Sequence, residues 1–138
     1  MNRILLASHG PLARGMKETL AFLTGENPRI ECMCAYVDDN SRDVAKMIDA
    51  WDASREEGDW WIVVTDVFGG SVNNEFLRRE ASGSFALVAG MNLALLVELT
   101  MTLDSLDEAK LEAAVAASRE ATRICHISEA ATEDEEDF

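Results

Sequence analysis

Basic residues are scarce in this chain of 138 residues, because twelve Lys and Arg stand against 26 Asp and Glu and leave a net charge of −14. A protein that binds nucleic acid needs cations to neutralise phosphates, so nucleic acid is excluded as a partner. The same deficit argues against anionic lipid surfaces. Part of the acidic excess lies in the segment 128–138, which has no Lys or Arg and which we expect to be a disordered tail.

Cysteine is also rare. The chain has three, and Cys32 and Cys34 form a C-x-C pair within an apolar run. We expect buried free thiols in a reducing compartment, which predicts a cytoplasmic protein. No signal peptide is expected, since residues 1–3 lead directly into the first apolar run. The most hydrophobic window, 85–103, is interrupted by glycine and polar residues, so insertion into a membrane is not expected.

Short apolar runs alternate with segments of helical periodicity. This alternation predicts one α/β domain over residues 1–127, with a doubly wound, mostly parallel sheet and helices on both faces. The predicted strands are Ile4–Ala7, Arg29–Val37, Trp60–Thr65, Ser84–Ala89 and a short edge strand at Thr122–Ile127. Five helices are predicted: one that begins at Pro11, one with Asn40 or Ser41 as its N-cap, one over about Asn73–Glu80, one over Asn92–Leu103, and one opened by Ser105-x-x-Glu108, which is typical of a capping box.

In parallel sheets of this kind, ligands meet the loops at the carboxyl ends of the strands. Only two histidines exist. His126 lies in the last predicted strand, and we interpret it as a packed or surface residue. His9 ends the first strand, next to Gly10, and is the candidate nucleophile.

A histidine nucleophile needs one ring nitrogen free and the other held by an acceptor. Asp66, which follows the third strand, is the candidate acceptor, although an Asx turn or a helix cap would also explain it. Gly69-Gly70-Ser71 precedes a helix and offers backbone amides, a hydroxyl and a helix dipole to a phosphoryl group. It is not a Walker motif, because no Gly-Lys-Ser/Thr follows.

Three segments stand in a specific order and spacing: ILLASHG at 4–10, TDVFGGSVNN at 65–74 and VAGMNLALLVE at 88–98. Over most of residues 1–125 they resemble the IIA domain of the mannose-class phosphoenolpyruvate:sugar phosphotransferase system. The resemblance implies a phosphocarrier in which His9 accepts a phosphoryl group from HPr and passes it to the IIB component for sugar uptake. Asp66 would orient His9.

The resemblance also implies that Gly69, Gly70 and Ser71 bind the phosphate. The residues that would line the site are Gly10, Phe68, Asn73 and Asn92. It implies a homodimer that exchanges its last, antiparallel strand, association with the membrane components IIC and IID, and no metal or organic cofactor. The family usually has Pro where this chain has Val72 and Ala94, which puts partner or sugar specificity in doubt more than phosphoryl transfer.

Three other readings stay open. The first is a phosphotransfer subunit for a dihydroxyacetone kinase, and the second is a purely regulatory IIA protein. The third is a response-regulator receiver phosphorylated at Asp66, although a receiver needs an acidic pair where this chain has Ser8 and His9. A metal site at Cys32, Cys34 and His126 lacks ligand spacing. The sequence does not identify the sugar.

Overall fold

A computed structural model describes residues 1–127, which form a four-stranded parallel sheet in the order β2-β1-β3-β4 with helices on both faces. The acidic segment 128–138 lies outside the described residues. The strands are β1 (Asn2–His9), β2 (Ile30–Ala35), β3 (Trp60–Thr65) and β4 (Phe85–Ala89). The helices are α1 (Leu12–Thr24), α2 (Val44–Ser54), α3 (Ser71–Glu80), α4 (Leu93–Met101) and α5 (Glu108–Glu120). The predicted α/β class and parallel sheet are confirmed.

The central strand β1 explains why the sheet is covered on both faces. Its residues 4–7 are all buried apolar side chains, and successive side chains in a strand point to opposite faces. Ile4 and Leu6 pack in a cluster with α1, α4 and α5, whereas Leu5 and Ala7 pack with α2 and α3. The hydrophobic core is therefore divided into two layers by the sheet.

Strand register brings the carboxyl ends of the strands to one edge of the sheet. His9 at the end of β1 is paired with Ala35 at the end of β2. Thr65 at the end of β3 is paired with Ala7 and with Ala89. The loops that follow all four strands consequently lie side by side.

The predicted N-cap of α2 was wrong. Asp43 caps this helix, since its carboxylate accepts a hydrogen bond of 3.1 Å from the backbone N–H of Lys46. Ser41 instead belongs to a 3₁₀ turn at Asp39–Ser41, where its hydroxyl accepts the amides of Val37 and Asp38. A hydroxyl satisfied by an earlier turn is not available to the later helix.

The capping box at Ser105 was wrong as well. A 3₁₀ turn at Leu103–Ser105 follows α4, and Asp107 caps α5 by accepting the Lys110 amide at 2.8 Å. The side chain of Asn2 donates to the carbonyls of Leu103 and Leu106, each at 2.9 Å. These bonds hold the connection against β1, and the N-cap of α5 lies two residues after the predicted Ser105.

The residues predicted as a last strand, Thr122–Ile127, form no strand within the single chain that the structure describes. Ile124 is 84% exposed and Ile127 is 90% exposed. A strand is held by its neighbour's backbone hydrogen bonds, and these residues form no strand pairing with β4, the edge strand of their own sheet. An isolated chain therefore leaves this segment unpaired.

The cysteines of β2 were predicted to be buried free thiols. Cys32 and Cys34 are free, but they are half-buried rather than buried, because β2 is an edge strand. Burial raises the pKa of the Cys32 thiol, and the adjacent Cys34 adds to the effect. In the part of the chain that is described, no helix has the length and apolar character that crossing a bilayer requires.

Candidate functional site

The loops after β1 and β3 bring His9, Asp66 and Ser71 into contact. The His9 ring lies between the other two side chains, with Nδ1 2.9 Å from Asp66 Oδ2 and Nε2 3.1 Å from Ser71 Oγ. The His9 side chain is 39% exposed, while that of Asp66 is 10% exposed. The imidazole is thus presented to solvent above a mostly covered carboxylate.

The Asp66 carboxylate is held by three N–H groups. Its Oδ2 accepts the His9 backbone amide at 2.8 Å in addition to the ring nitrogen, and its Oδ1 accepts the Val67 amide at 3.0 Å. Partial burial by itself raises the pKa of Asp66, but these hydrogen bonds outweigh it and leave the pKa below its usual value. Asp66 is therefore ionised at neutral pH.

An ionised carboxylate only accepts hydrogen bonds, so the His9 nitrogen that faces it carries the proton. In the neutral ring this leaves the lone pair on Nε2, which points towards Ser71. Nε2 is therefore the ring nitrogen that is available as a nucleophile, and Asp66 fixes both the tautomer and the ring plane.

Helix α3 begins against the imidazole, with Gly70 as its N-cap residue. A Cβ at Gly70 would lie 2.9 Å from His9 Cε1 and 2.9 Å from a methyl carbon of Val67, so only glycine fits. The first amides of a helix have no intrahelical acceptor, and they form the positive end of its dipole. The start of α3 is thus a position where an anion bound to Nε2 would be stabilised.

Tyr36 is a site residue that the sequence reasoning did not find. It follows β2, its ring stacks on His9 with centroids 5.6 Å apart, and its hydroxyl lies 2.8 Å from Ser71 Oγ. Tyr36 was missed because it fell inside the predicted strand Arg29–Val37 rather than in a loop. A second strand that ended at Ala35, as observed, would have placed Tyr36 in a loop at the carboxyl end of the sheet.

The turn that carries His9 is held by a buried serine. Ser8 Oγ accepts the Ala13 amide at 2.8 Å and donates to the Gly10 carbonyl at 3.0 Å. Gly10 has a φ of +62°, a conformation that favours glycine. Together these contacts fix the start of α1 and the position of the imidazole.

Three other residues predicted to line the site, Asn73, Asn92 and Phe68, make no hydrogen bond to the His9 ring, whose side-chain partners are Asp66 and Ser71. Asn73 is buried and accepts the Thr65 hydroxyl at 2.7 Å, which joins α3 to β3. Asn92 caps α4 by accepting the Leu95 amide at 2.9 Å. Phe68 is 81% exposed. The two asparagines hold neighbouring loops, and neither side chain bonds to His9.

Within residues 1–127, no group of three or more His, Cys, Asp or Glu side chains is arranged so that it could hold a metal ion. His126 is exposed. The chemistry that the structure brings together is an oriented imidazole nucleophile, an ionised acid behind it, and a hydroxyl and helix amides in front. That arrangement suits transfer of a tetrahedral anionic group.

A family model described as the PTS system fructose IIA component, EIIA-man, matches residues 3–118. A candidate phosphoenolpyruvate-dependent sugar phosphotransferase system (PTS) permease from Klebsiella pneumoniae is similar in sequence and structure, with 32% identity and a TM-score of 0.85 over 92% of this chain and 93% of that one. The PTS IIA protein associated with the fucose utilization operon of Streptococcus pneumoniae has 28% identity and a TM-score of 0.70, covering 94% and 95% of the two chains.

The mannose/sorbose specific IIA subunit of Enterococcus faecalis shares the fold, with 19% identity and a TM-score of 0.70 over 91% of this chain and 96% of that one. A search of curated proteins gave no significant match. The family match covers most of the chain, including the segments that carry His9, Asp66 and Ser71. The chain belongs to the EIIA-man family, the IIA components of the phosphotransferase system.

Proposed function

We propose that this protein is a cytoplasmic phosphocarrier in which His9 accepts a phosphoryl group from phospho-HPr and passes it to a IIB component for sugar uptake. One observation carries the proposal: Nδ1 of His9 is held by Asp66 while Nε2 faces Ser71 at the start of α3. In this orientation the free lone pair of the ring lies beside the start of α3. Membership of the family supports HPr as donor and IIB as acceptor.

In the proposed step, the Nε2 lone pair of His9 attacks the phosphorus carried by a histidine of the donor. The new bond joins Nε2 to phosphorus, and the donor's P–N bond breaks and returns its electron pair to the donor ring. The proton on Nδ1 stays in place, so the phosphorylated His9 ring carries a positive charge that Asp66 offsets. The transfer to IIB runs the same step with His9 as the leaving group.

The three phosphoryl oxygens need donors once the group is on Nε2. The Ser71 hydroxyl, 3.1 Å from that nitrogen, and the first amides of α3 supply them. The net charge of −14 does not forbid this, because the screening length at physiological salt is about 8 Å. Contacts with local donors outweigh repulsion from distant carboxylates.

We further propose that the protein is a homodimer in which Thr122–Ile127 of each subunit adds an antiparallel strand to its partner's sheet. Strand β4 is an edge strand, and an apolar groove runs between it and α5, lined by Leu87, Val88, Leu111 and Val115. The exposed side chains of Ile124 and Ile127 are of the kind that such a groove buries. The protein would also associate with the membrane components IIC and IID.

The test is transfer of labelled phosphate from phosphoenolpyruvate through Enzyme I and HPr. One phosphoryl group per chain is expected, in an acid-labile and base-stable bond. His9→Ala should abolish labelling. His126→Ala is the matched control, because it removes the one other histidine of the chain and should leave labelling unchanged. Label that persists in His9→Ala would refute the assignment.

The role of Asp66 is tested in the same assay. Asp66→Asn keeps the shape of the side chain but lacks the charge that opposes the imidazolium, so we expect transfer to slow by about 10–100-fold with the fold intact. Circular dichroism checks the fold. A transfer rate equal to that of the wild type would remove Asp66 from the mechanism.

A further inference from the structure

The phenol of Tyr36 completes a chain of hydrogen bonds across the candidate site. Its oxygen lies 2.8 Å from Ser71 Oγ, which lies 3.1 Å from Nε2 of His9. The two rings are stacked at an interplanar angle of 28°. Tyr36 thus touches both the nucleophile and the hydroxyl in front of it.

The direction of each hydrogen bond follows from the charge on Asp66. Because Nδ1 of His9 donates to the carboxylate, Nε2 can only accept in the neutral ring. Ser71 therefore donates its one hydroxyl proton to Nε2, and its oxygen accepts from Tyr36. Without the phenol, the Ser71 side chain keeps only its bond to Nε2 and is held less firmly.

The backbone holds Tyr36 in this position at a conformational cost. Its φ is +64°, and among residues 1–127 it is the one non-glycine residue with a positive φ. Its amide donates to the Ser41 carbonyl at 2.8 Å. Ser41 is buried, and its hydroxyl accepts the amides of Val37 and Asp38, at 3.0 and 2.9 Å. The 3₁₀ turn therefore fixes a strained residue directly over the reactive ring.

We propose that Tyr36 is a positioning residue for phosphoryl transfer: it donates to Ser71 Oγ, aims the Ser71 hydroxyl at Nε2 before transfer and at a phosphoryl oxygen after it, and limits rotation of the imidazole by stacking. The inference rests on the proposed function of His9. Tyr36 itself takes no part in making or breaking the P–N bond. Its effect passes through Ser71.

Kinetics of Tyr36→Phe test this role, because the variant keeps the stacked ring and loses only the hydroxyl. With phospho-HPr as donor, we expect kcat to fall about three- to tenfold, as for loss of one hydrogen bond, with KM unchanged. In a Ser71→Ala background the same change should have no further effect, because the phenol then has nothing to orient. Equal effects in both backgrounds would overturn the inference.

Ser41→Ala provides a second variant that touches neither ring. It removes the acceptor of the Val37 and Asp38 amides, so it should release the turn and lower kcat in the same way as Tyr36→Phe. Ser54→Ala is the matched control, since Ser54 ends α2 and its hydroxyl donates to the Trp51 carbonyl. An effect of Ser54→Ala as large as that of Ser41→Ala would mean a general structural cause and overturn the inference.

A spectroscopic readout is possible because Tyr36 is the single tyrosine of the chain. Incorporation of 3-fluorotyrosine gives one fluorine resonance, which should shift when the wild-type protein is phosphorylated and stay unchanged when the same donor mixture is added to His9→Ala. A wild-type protein that accepts no label refutes the proposed function and this inference with it. A labelled wild type with an unshifted resonance, or an unimpaired Tyr36→Phe, overturns this inference alone.

Discussion

At the scale of single residues, the close approach of α3 to the imidazole depends on Gly70. A methyl group there would lie 2.9 Å from both His9 Cε1 and Val67 Cγ1. We expect Gly70→Ala to lower the free energy of unfolding by about 1–3 kcal/mol, because ring or helix must shift, and to reduce labelling of His9. Thermal or urea unfolding measures the first effect and the phosphate assay the second.

Gly15 is the matched control for this substitution. It lies exposed in the interior of α1, and a Cβ there meets nothing within 4 Å. Gly15→Ala should raise the free energy of unfolding by about 0.5–1 kcal/mol, since alanine loses less backbone entropy in a helix. If both variants changed stability in the same direction, the steric reason given for Gly70 would be wrong.

At the scale of elements, the N-cap of α5 is Asp107 in the structure, whereas the sequence pattern predicts Ser105. Asp107 accepts the Lys110 amide at 2.8 Å, whereas the Ser105 hydroxyl donates to the Thr102 carbonyl at 3.3 Å and caps no helix. Asp107→Ala should cost about 1 kcal/mol of unfolding free energy. Ser105→Ala should change it by less than about 0.5 kcal/mol, as a surface substitution does. If Ser105→Ala lowered the free energy of unfolding more than Asp107→Ala does, the capping box predicted from the sequence would be correct after all.

At the scale of the whole molecule, the proposed dimer depends on apolar side chains that one chain leaves uncovered. Ile124→Asp places a charge in the segment proposed to pair with the partner's β4, so the variant should be monomeric by analytical ultracentrifugation. Phe22→Asp is its control, because Phe22 is 88% exposed on α1, which packs on β1 and β2, towards the edge of the sheet opposite to β4. A wild-type monomer, or a dimer that survives Ile124→Asp, would contradict strand exchange.

The sequence by itself determined the four strands of the parallel sheet and grouped His9, Asp66 and Ser71 as one candidate site. Local periodicity decides which segments form strands and helices, and the rule for carboxyl ends of parallel strands brings their loops together. Trp60–Thr65 was predicted with its observed bounds, and β1 extends the predicted Ile4–Ala7 at both ends. These features depend on residues close in sequence, or on the parallel topology that follows from the alternation of strands and helices along the chain.

Only the tertiary structure decided what depends on contacts between distant segments. The place of Tyr36 over His9 requires the strand order and a left-handed backbone held by Ser41, and no local pattern encodes either. Asp43 caps α2 instead of Ser41, because a preceding turn already uses the Ser41 hydroxyl. Asp107 caps α5 instead of Ser105, and Asn2 holds the loop before it. Thr122–Ile127 has strand propensity but no strand to pair with in its own chain, since pairing depends on a neighbour rather than on the segment itself.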